Sequence, residues 1–121
     1  MTKQNRWVLL EHDPLDDPIG KHFDLLLEDK DLCRSWRLKK NLVLNGPSQE
    51  AVPTAFHRLA WLSVKAGKVS GGRGSARRVI GGFFEGDLPT NYKEAIEIKL
   101  ICNEFLATLE IKNCICRLRS S

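Results

Sequence analysis

The sequence predicts an all-β or mainly β chain, folded as a single compact small β-barrel with irregular connections. Three observations lead there. Apolar residues recur at every second position in many short runs, the pattern of half-buried strands. Glycine and proline clusters separate those runs. The length of 121 residues is about one domain's worth, so residues 1–121 are expected to share one core. Closure into a barrel follows because it removes the exposed edges that an open sheet of short strands must protect.

The run Trp7-Val8-Leu9-Leu10 reads as the opening strand, ending at the polar Glu11-His12-Asp13. Pro14, Pro18 and Gly20 make the next stretch irregular, because proline lacks a ladder donor and restricts its predecessor. A second strand starts at Lys21 or His22. Period two sets His22, Asp24, Leu26 and Glu28 on one face and the apolar Phe23, Leu25 and Leu27 on the other. The second set marks the core side, so the polar set is expected to face a cleft or solvent.

Glu28-Asp29-Lys30-Asp31 reads as a turn into Leu32–Leu38, with Arg34, Trp36 and Leu38 on one face and Ser35 and Arg37 on the other. From Lys39 to Thr54 the Asn45-Gly46-Pro47 and Pro53 signals predict loose structure, with Leu42-Val43-Leu44 its only regular portion. Leu59-Ala60-Trp61-Leu62, after His57, fits a strand or a short helix. Val69–Ser75 must be a loop, and Arg77–Gly86 reads as a strand whose glycines suit a bend or bulge at a barrel corner. Alternation around Ile96 and Ile98, then Ala107, Leu109 and Ile111, then Cys114–Leu118, predicts a closing meander.

Composition narrows the function. Apolar residues are 42% and charged residues 28% of the chain, against disorder, and no run nears the roughly 20 apolar residues that cross a bilayer. The N-terminus turns acidic where a signal peptide needs its apolar run, so a cytoplasmic protein that does not engage membranes is expected. Cys33, Cys102, Cys114 and Cys116 have neither zinc-knuckle spacing nor the density of a secreted scaffold. Cys114 and Cys116 are expected on one side of the last strand as small core residues.

The formal charge is +4, and its distribution says more than its size. Between Lys65 and Arg78 stand five basic residues and no acidic one, whereas Asp13–Asp31 is rich in carboxylates. Such a separation suits a phosphate-binding face beside an acidic or metal-binding one. Ser70-Gly71-Gly72-Arg73-Gly74-Ser75 has the composition of an anion nest without being a Walker loop. With Arg77 and Arg78 close behind Arg73, phosphate contact is the expected role.

His22 and Asp24, two apart on a strand, reach one small volume. Imidazole nitrogen and carboxylate oxygen together suit Mn²⁺, Zn²⁺ or Fe²⁺. His12 returns toward His22 across the irregular connection, with Asp13, Asp16 and Asp17 as competing ligands and Glu28 as a more distant one. His57 is the remaining candidate proton donor.

These residues also carry a resemblance. Glu11-His12-Asp13-Pro14, His22-Phe23-Asp24-Leu25-Leu26-Leu27-Glu28, Ser35-Trp36, His57-Arg58-Leu59-Ala60-Trp61 and Val69-Ser70-Gly71-Gly72-Arg73-Gly74 stand in the order of the 3′-phosphoesterase domain of bacterial DNA ligase D. The chain resembles the small stand-alone relatives of that domain from about Trp7 to Phe84. The resemblance implies a β-barrel with a crescent-shaped site that removes 3′-phosphates and 3′-ribonucleotides from DNA ends during repair. The implied cofactor is a divalent metal, manganese first and zinc second. His12, His22 and Asp24 resemble its ligands, and His57 resembles the histidine that contacts or protonates the reacting group. DNA or RNA–DNA 3′ ends are the implied partners, together with other repair proteins.

The chain departs from that family at two positions. Leu26 stands where active members carry an arginine, and Trp61 where they carry a phosphate-binding tyrosine. Arg58 and Arg73 are the candidates for the missing charge. A noncatalytic nucleic-acid-binding or scaffold module, and a phosphoesterase for small molecules, are the alternative functions.

Overall fold

Strand alternation in the sequence becomes a sheet with two apolar faces. The computed structural model describes residues 4–15, 18–68 and 74–121. Its strands are β1 (Asn5–Asp13), β2 (His22–Asp29), β3 (Leu32–Leu38), β4 (Gln49–Arg58), β5 (Ala66–Lys68), β6 (Ser75–Glu85), β7 (Ile96–Ile101), β8 (Leu106–Lys112) and β9 (Ile115–Ser120). A 3-10 helix, Leu59–Ser63, lies between β4 and β5. The strands form one sheet in the order β1-β2-β3-β4-β9-β8-β7-β6-β5, and every pairing is antiparallel. A further pairing of β1 with β6 joins the ends, so all strands but β5 run round a closed ring.

The main core fills the ring. Trp7 and Leu9 of β1, Leu25 and Leu27 of β2, Trp36 and Leu38 of β3, and the buried alternate residues of β7, β8 and β9 make one cluster. Burying a side chain of this size contributes about 1.5–3 kcal/mol. The opposite faces of β1, β2 and β3 carry a second, smaller cluster of Val8, Leu10, Leu26 and Cys33, closed from outside by Leu62 and flanked by Leu59 and Trp61 of the 3-10 helix. Of the cleft or solvent that the sequence left open for the polar face of β2, the structure shows a narrow cleft at Asp24 on a face that is otherwise covered. His22, Asp24, Leu26 and Glu28 are all buried, because the 3-10 helix covers a face that strand periodicity alone cannot see as covered.

Three further differences have local causes. β4 runs through Pro53, within the stretch read as loose, and Leu42–Leu44 is not a strand. Ala51 donates its N–H to Cys114 on the β9 side at 2.8 Å, so alternation turns the Pro53 nitrogen to that same side. The β9 pairing ends at Glu50, leaving an edge there that tolerates proline. Cys114 is exposed while Cys116 is buried, because Asn113 and Cys114 form the β8–β9 turn with φ of 52° and 60°. The β6 irregularity falls at Val79, where the register slips between Leu9–Ile80 and Leu10–Arg78, rather than at the glycines. Gly82 serves close approach instead, since a Cβ there would lie 2.0 Å from the Ile101 carbonyl oxygen.

No helix among the described residues is long and apolar enough to cross a membrane.

Candidate metal centre

Two strand pairings assemble the site. β1 and β2 place His12 opposite His22 and Leu10 opposite Asp24. Directly opposed residues of an antiparallel pair share a face, so His12, His22 and Asp24 all stand on the outer face beside the smaller cluster. His12 Nδ1 lies 3.1 Å from His22 Nε2 and 3.6 Å from Asp24 Oδ2, and His22 Nε2 lies 3.4 Å from Asp24 Oδ1. The irregular Asp13–Lys21 connection thus returns the chain so that His22 meets His12, as the sequence anticipated.

This donor set fits a divalent transition metal. Ligand bonds of about 2.0–2.2 Å hold neighbouring donor atoms roughly 3.0–3.5 Å apart, close to the spacings seen here. The tautomer of His22 is also set. Its Nδ1 is 3.1 Å from the Gly20 carbonyl oxygen, which only accepts, so Nδ1 carries the proton and Nε2 presents its lone pair to the centre. Gly20 has a φ of 73°, a conformation that glycine adopts without penalty. The outcome is two imidazole nitrogens and one carboxylate within 4.8 Å of one another, with His22 and Asp24 buried.

A narrow cleft of about 50 Å³ opens beside them, lined by Leu10, His12, Asp24, His57, Trp61 and Ala76. It has room for a water or one small polar group. His57 comes from β4, far from the other histidines in sequence, and its Nδ1 lies 3.2 Å from the Ala55 carbonyl. By the same reasoning Nδ1 carries a proton there, which leaves Nε2 as the nitrogen available for exchange. Trp61 reaches the cleft from the 3-10 helix.

The expected anion-binding arginines are dispersed. Arg58 is exposed and does not line this cleft, since it alternates with His57 along β4. Arg77 pairs with Glu11 at 3.0 Å beside a separate open depression. Arg78 donates to the Leu62 carbonyl at 3.1 Å and so tethers the 3-10 helix. Arg73 lies outside the described residues, as do Ser70, Gly71, Gly72, Asp16 and Asp17. Of the competing carboxylates, Asp13 accepts the Leu15 N–H at 3.0 Å, and Glu28 is engaged by Arg6.

Two neighbours were not assigned a role at the site from sequence. Ser35 accepts a hydrogen bond from Thr54 at 2.8 Å, and Arg37 is the direct cross-strand partner of Asp24. Only the β2–β3 register could have found them. The buried thiols Cys33 and Cys116 are not candidates for this chemistry. Burial, with the nearby Glu28 charge adding to it, pushes Cys33 up to about 11, and burial pushes Cys116 up to about 12.

Compared with protein-family models and with curated proteins, the chain matches none.

Proposed function

We propose that this chain is a divalent-metal-dependent phosphoesterase acting on 3′-phosphate or 3′-ribonucleotide ends of DNA, with manganese the first choice of metal and zinc the second. The observation that carries the reading is the convergence of His12 Nδ1, His22 Nε2 and an Asp24 oxygen beside a cleft that His57 also lines. The resemblance to the ligase-associated 3′-phosphoesterase domain supplies the substrate class.

His12, His22 and Asp24 would hold the cation, which supplies positive charge to neutralise the charge developing on phosphate oxygens. Releasing a terminal phosphate breaks the bond between phosphorus and the 3′ oxygen. Water adds its hydroxyl to phosphorus, and its remaining proton ends on the leaving oxygen. His57 is the residue we assign to carry that proton through Nε2, its Nδ1 being held by the Ala55 carbonyl. The narrowness of the cleft favours a small terminal group over a bulky one.

A second reading is a noncatalytic nucleic-acid-binding module. It is favoured by Leu26 and Trp61, which serve apolar packing beneath and within the 3-10 helix. One experiment separates the two. Purified protein with Mn²⁺ is incubated with primers ending in a 3′-phosphate or a 3′-ribonucleotide, alongside a free nucleotide phosphate. Metal-dependent trimming of the primers that His22→Ala abolishes supports the phosphoesterase. Turnover of the free nucleotide alone points to a small-molecule substrate. Salt-sensitive primer binding with no turnover, unaffected by a chelator, supports the binding module.

A further inference from the structure

We infer that Arg37, which stands opposite Asp24 beside the metal cleft without lining it, is the residue that grips the anionic group of the phosphate this site is proposed to take. The inference rests on the proposed metal-dependent reading of His12, His22 and Asp24. It arises from how differently the arginines are used.

Several described arginines have acceptors, although Arg34 Nη1 and Arg119 Nε are, like Arg37 Nε, shielded without a partner. Arg6 reaches Glu28, Arg34 reaches Asp29, Arg119 reaches Glu97, and Arg78 reaches the Leu62 carbonyl. The Arg37 side chain makes no hydrogen bond or ion pair with any described residue, although its Nε is shielded from solvent. Its terminal nitrogens are not shielded in that way. A guanidinium with a covered, unsatisfied donor and an open end is costly to hold unless an outside acceptor completes it.

Its position says which acceptor. Arg37 stands directly opposite Asp24 on the shared outer face of β2 and β3. A carboxylate one strand away would be its natural partner. Asp24 instead directs its oxygens at the imidazoles of His12 and His22, at 3.6 and 3.4 Å, and forms no ion pair with Arg37. The cation is therefore kept unneutralised beside the ligand set. With a divalent ion in place, the site would have an excess of positive charge, with a planar donor fork beside it. That combination matches the two outward oxygens of a phosphate better than it matches a neutral group, and Arg supplies such a fork where Lys supplies only a point charge.

The test is calorimetric titration of inorganic phosphate into wild-type protein, R37Q and R37K, each with and without saturating Mn²⁺, preceded by Mn²⁺ titration of each protein. The expected result is phosphate affinity at least tenfold weaker in R37Q, with R37K between R37Q and wild type. Mn²⁺ affinity should stay within about threefold for all three, as Arg37 is not a ligand. Equal phosphate affinity in wild type and R37Q overturns the inference. So does a parallel loss of Mn²⁺ and phosphate, and so does the absence of phosphate binding by wild type under both conditions. Circular dichroism spectra of R37Q and R37K that match wild type establish that the lost group, not folding, is being read. Because this measurement needs no turnover, an inactive protein that still shows Arg37-dependent phosphate binding would end the phosphoesterase reading while leaving the role of Arg37 standing.

Discussion

Glu28 accepts the backbone N–H of Arg6 at 2.7 Å, and the Arg6 Nε at 3.4 Å. The two carboxylates on the outer face of β2 thus have different occupations: Asp24 faces the histidines, whereas Glu28 completes the hydrogen bonding where β1 begins. Replacing a buried, charge-assisted acceptor leaves a donor unsatisfied. Glu28→Ala should lower the unfolding free energy by about 2 kcal/mol. Its Mn²⁺ affinity should stay near that of wild type, and urea unfolding with metal titration on the same sample checks both.

Gly20 offers a perturbation of the site that removes no ligand. A Cβ at Gly20 meets no atom within 4 Å, so alanine there is opposed only by the φ of 73°. The cost to folding should be about 1 kcal/mol. If the chain relaxes toward negative φ, the Gly20 carbonyl leaves His22 Nδ1, and metal affinity should fall by roughly 10- to 100-fold, the usual effect of losing such a partner. Mn²⁺ titration of Gly20→Ala measures it, with His22→Ala as the variant that should show no specific binding.

Much of this site was legible because strand periodicity is simple. His22 and Asp24 fall on one face at any register, and a connection beginning at Pro14 and ending at Gly20 had to bring His12 back toward them. Arg37 was correctly set opposite to Trp36, yet its partnership with Asp24 depends on which residue of β3 meets which residue of β2. That follows from the length of the turn at Lys30 and Asp31. The burial of the polar face was hidden for another reason: it is imposed by Leu59–Ser63, a segment equally compatible with strand and helix. Pro53 and the Asn45-Gly46-Pro47 turn obscured β4, since a breaker at a strand edge reads the same as one in a loop.

The buried thiols predict an alkaline loss of stability. Cys33 and Cys116 hold their protons up to about 11 and about 12 when folded, against 9.0 when unfolded. Their contribution is complete below pH 9 and declines as pH rises through the folded values, because the unfolded chain releases those protons first. Each thiol should lower stability by about 1.4 kcal/mol per pH unit within its window. Urea midpoints between pH 8 and 10.5 should fall accordingly, and Cys116→Ala should flatten the slope. Thiol labelling of the native protein should mark the exposed Cys114 before either of them.

Two glycines of similar appearance should behave differently. Gly82→Ala would drive a methyl into the Ile101 carbonyl, parting β6 from β7, and should cost about 3 kcal/mol. Gly67→Ala meets nothing within 4 Å and should change stability by no more than about 0.5 kcal/mol. Thermal unfolding of the two variants provides the comparison.

The pairing of β1 with β6 has a consequence for when the protein can take up an ion. β1 holds β2 along one edge and β6 along the other, from Asn5–Phe84 to Asp13–Ser75, and His12 sits near the end of that seam. An ion gripping His12 and His22 would therefore act as a clasp on the seam. Amide hydrogens along β1 should exchange more slowly once it is loaded, and release of the ion should keep pace with unzipping of this strand.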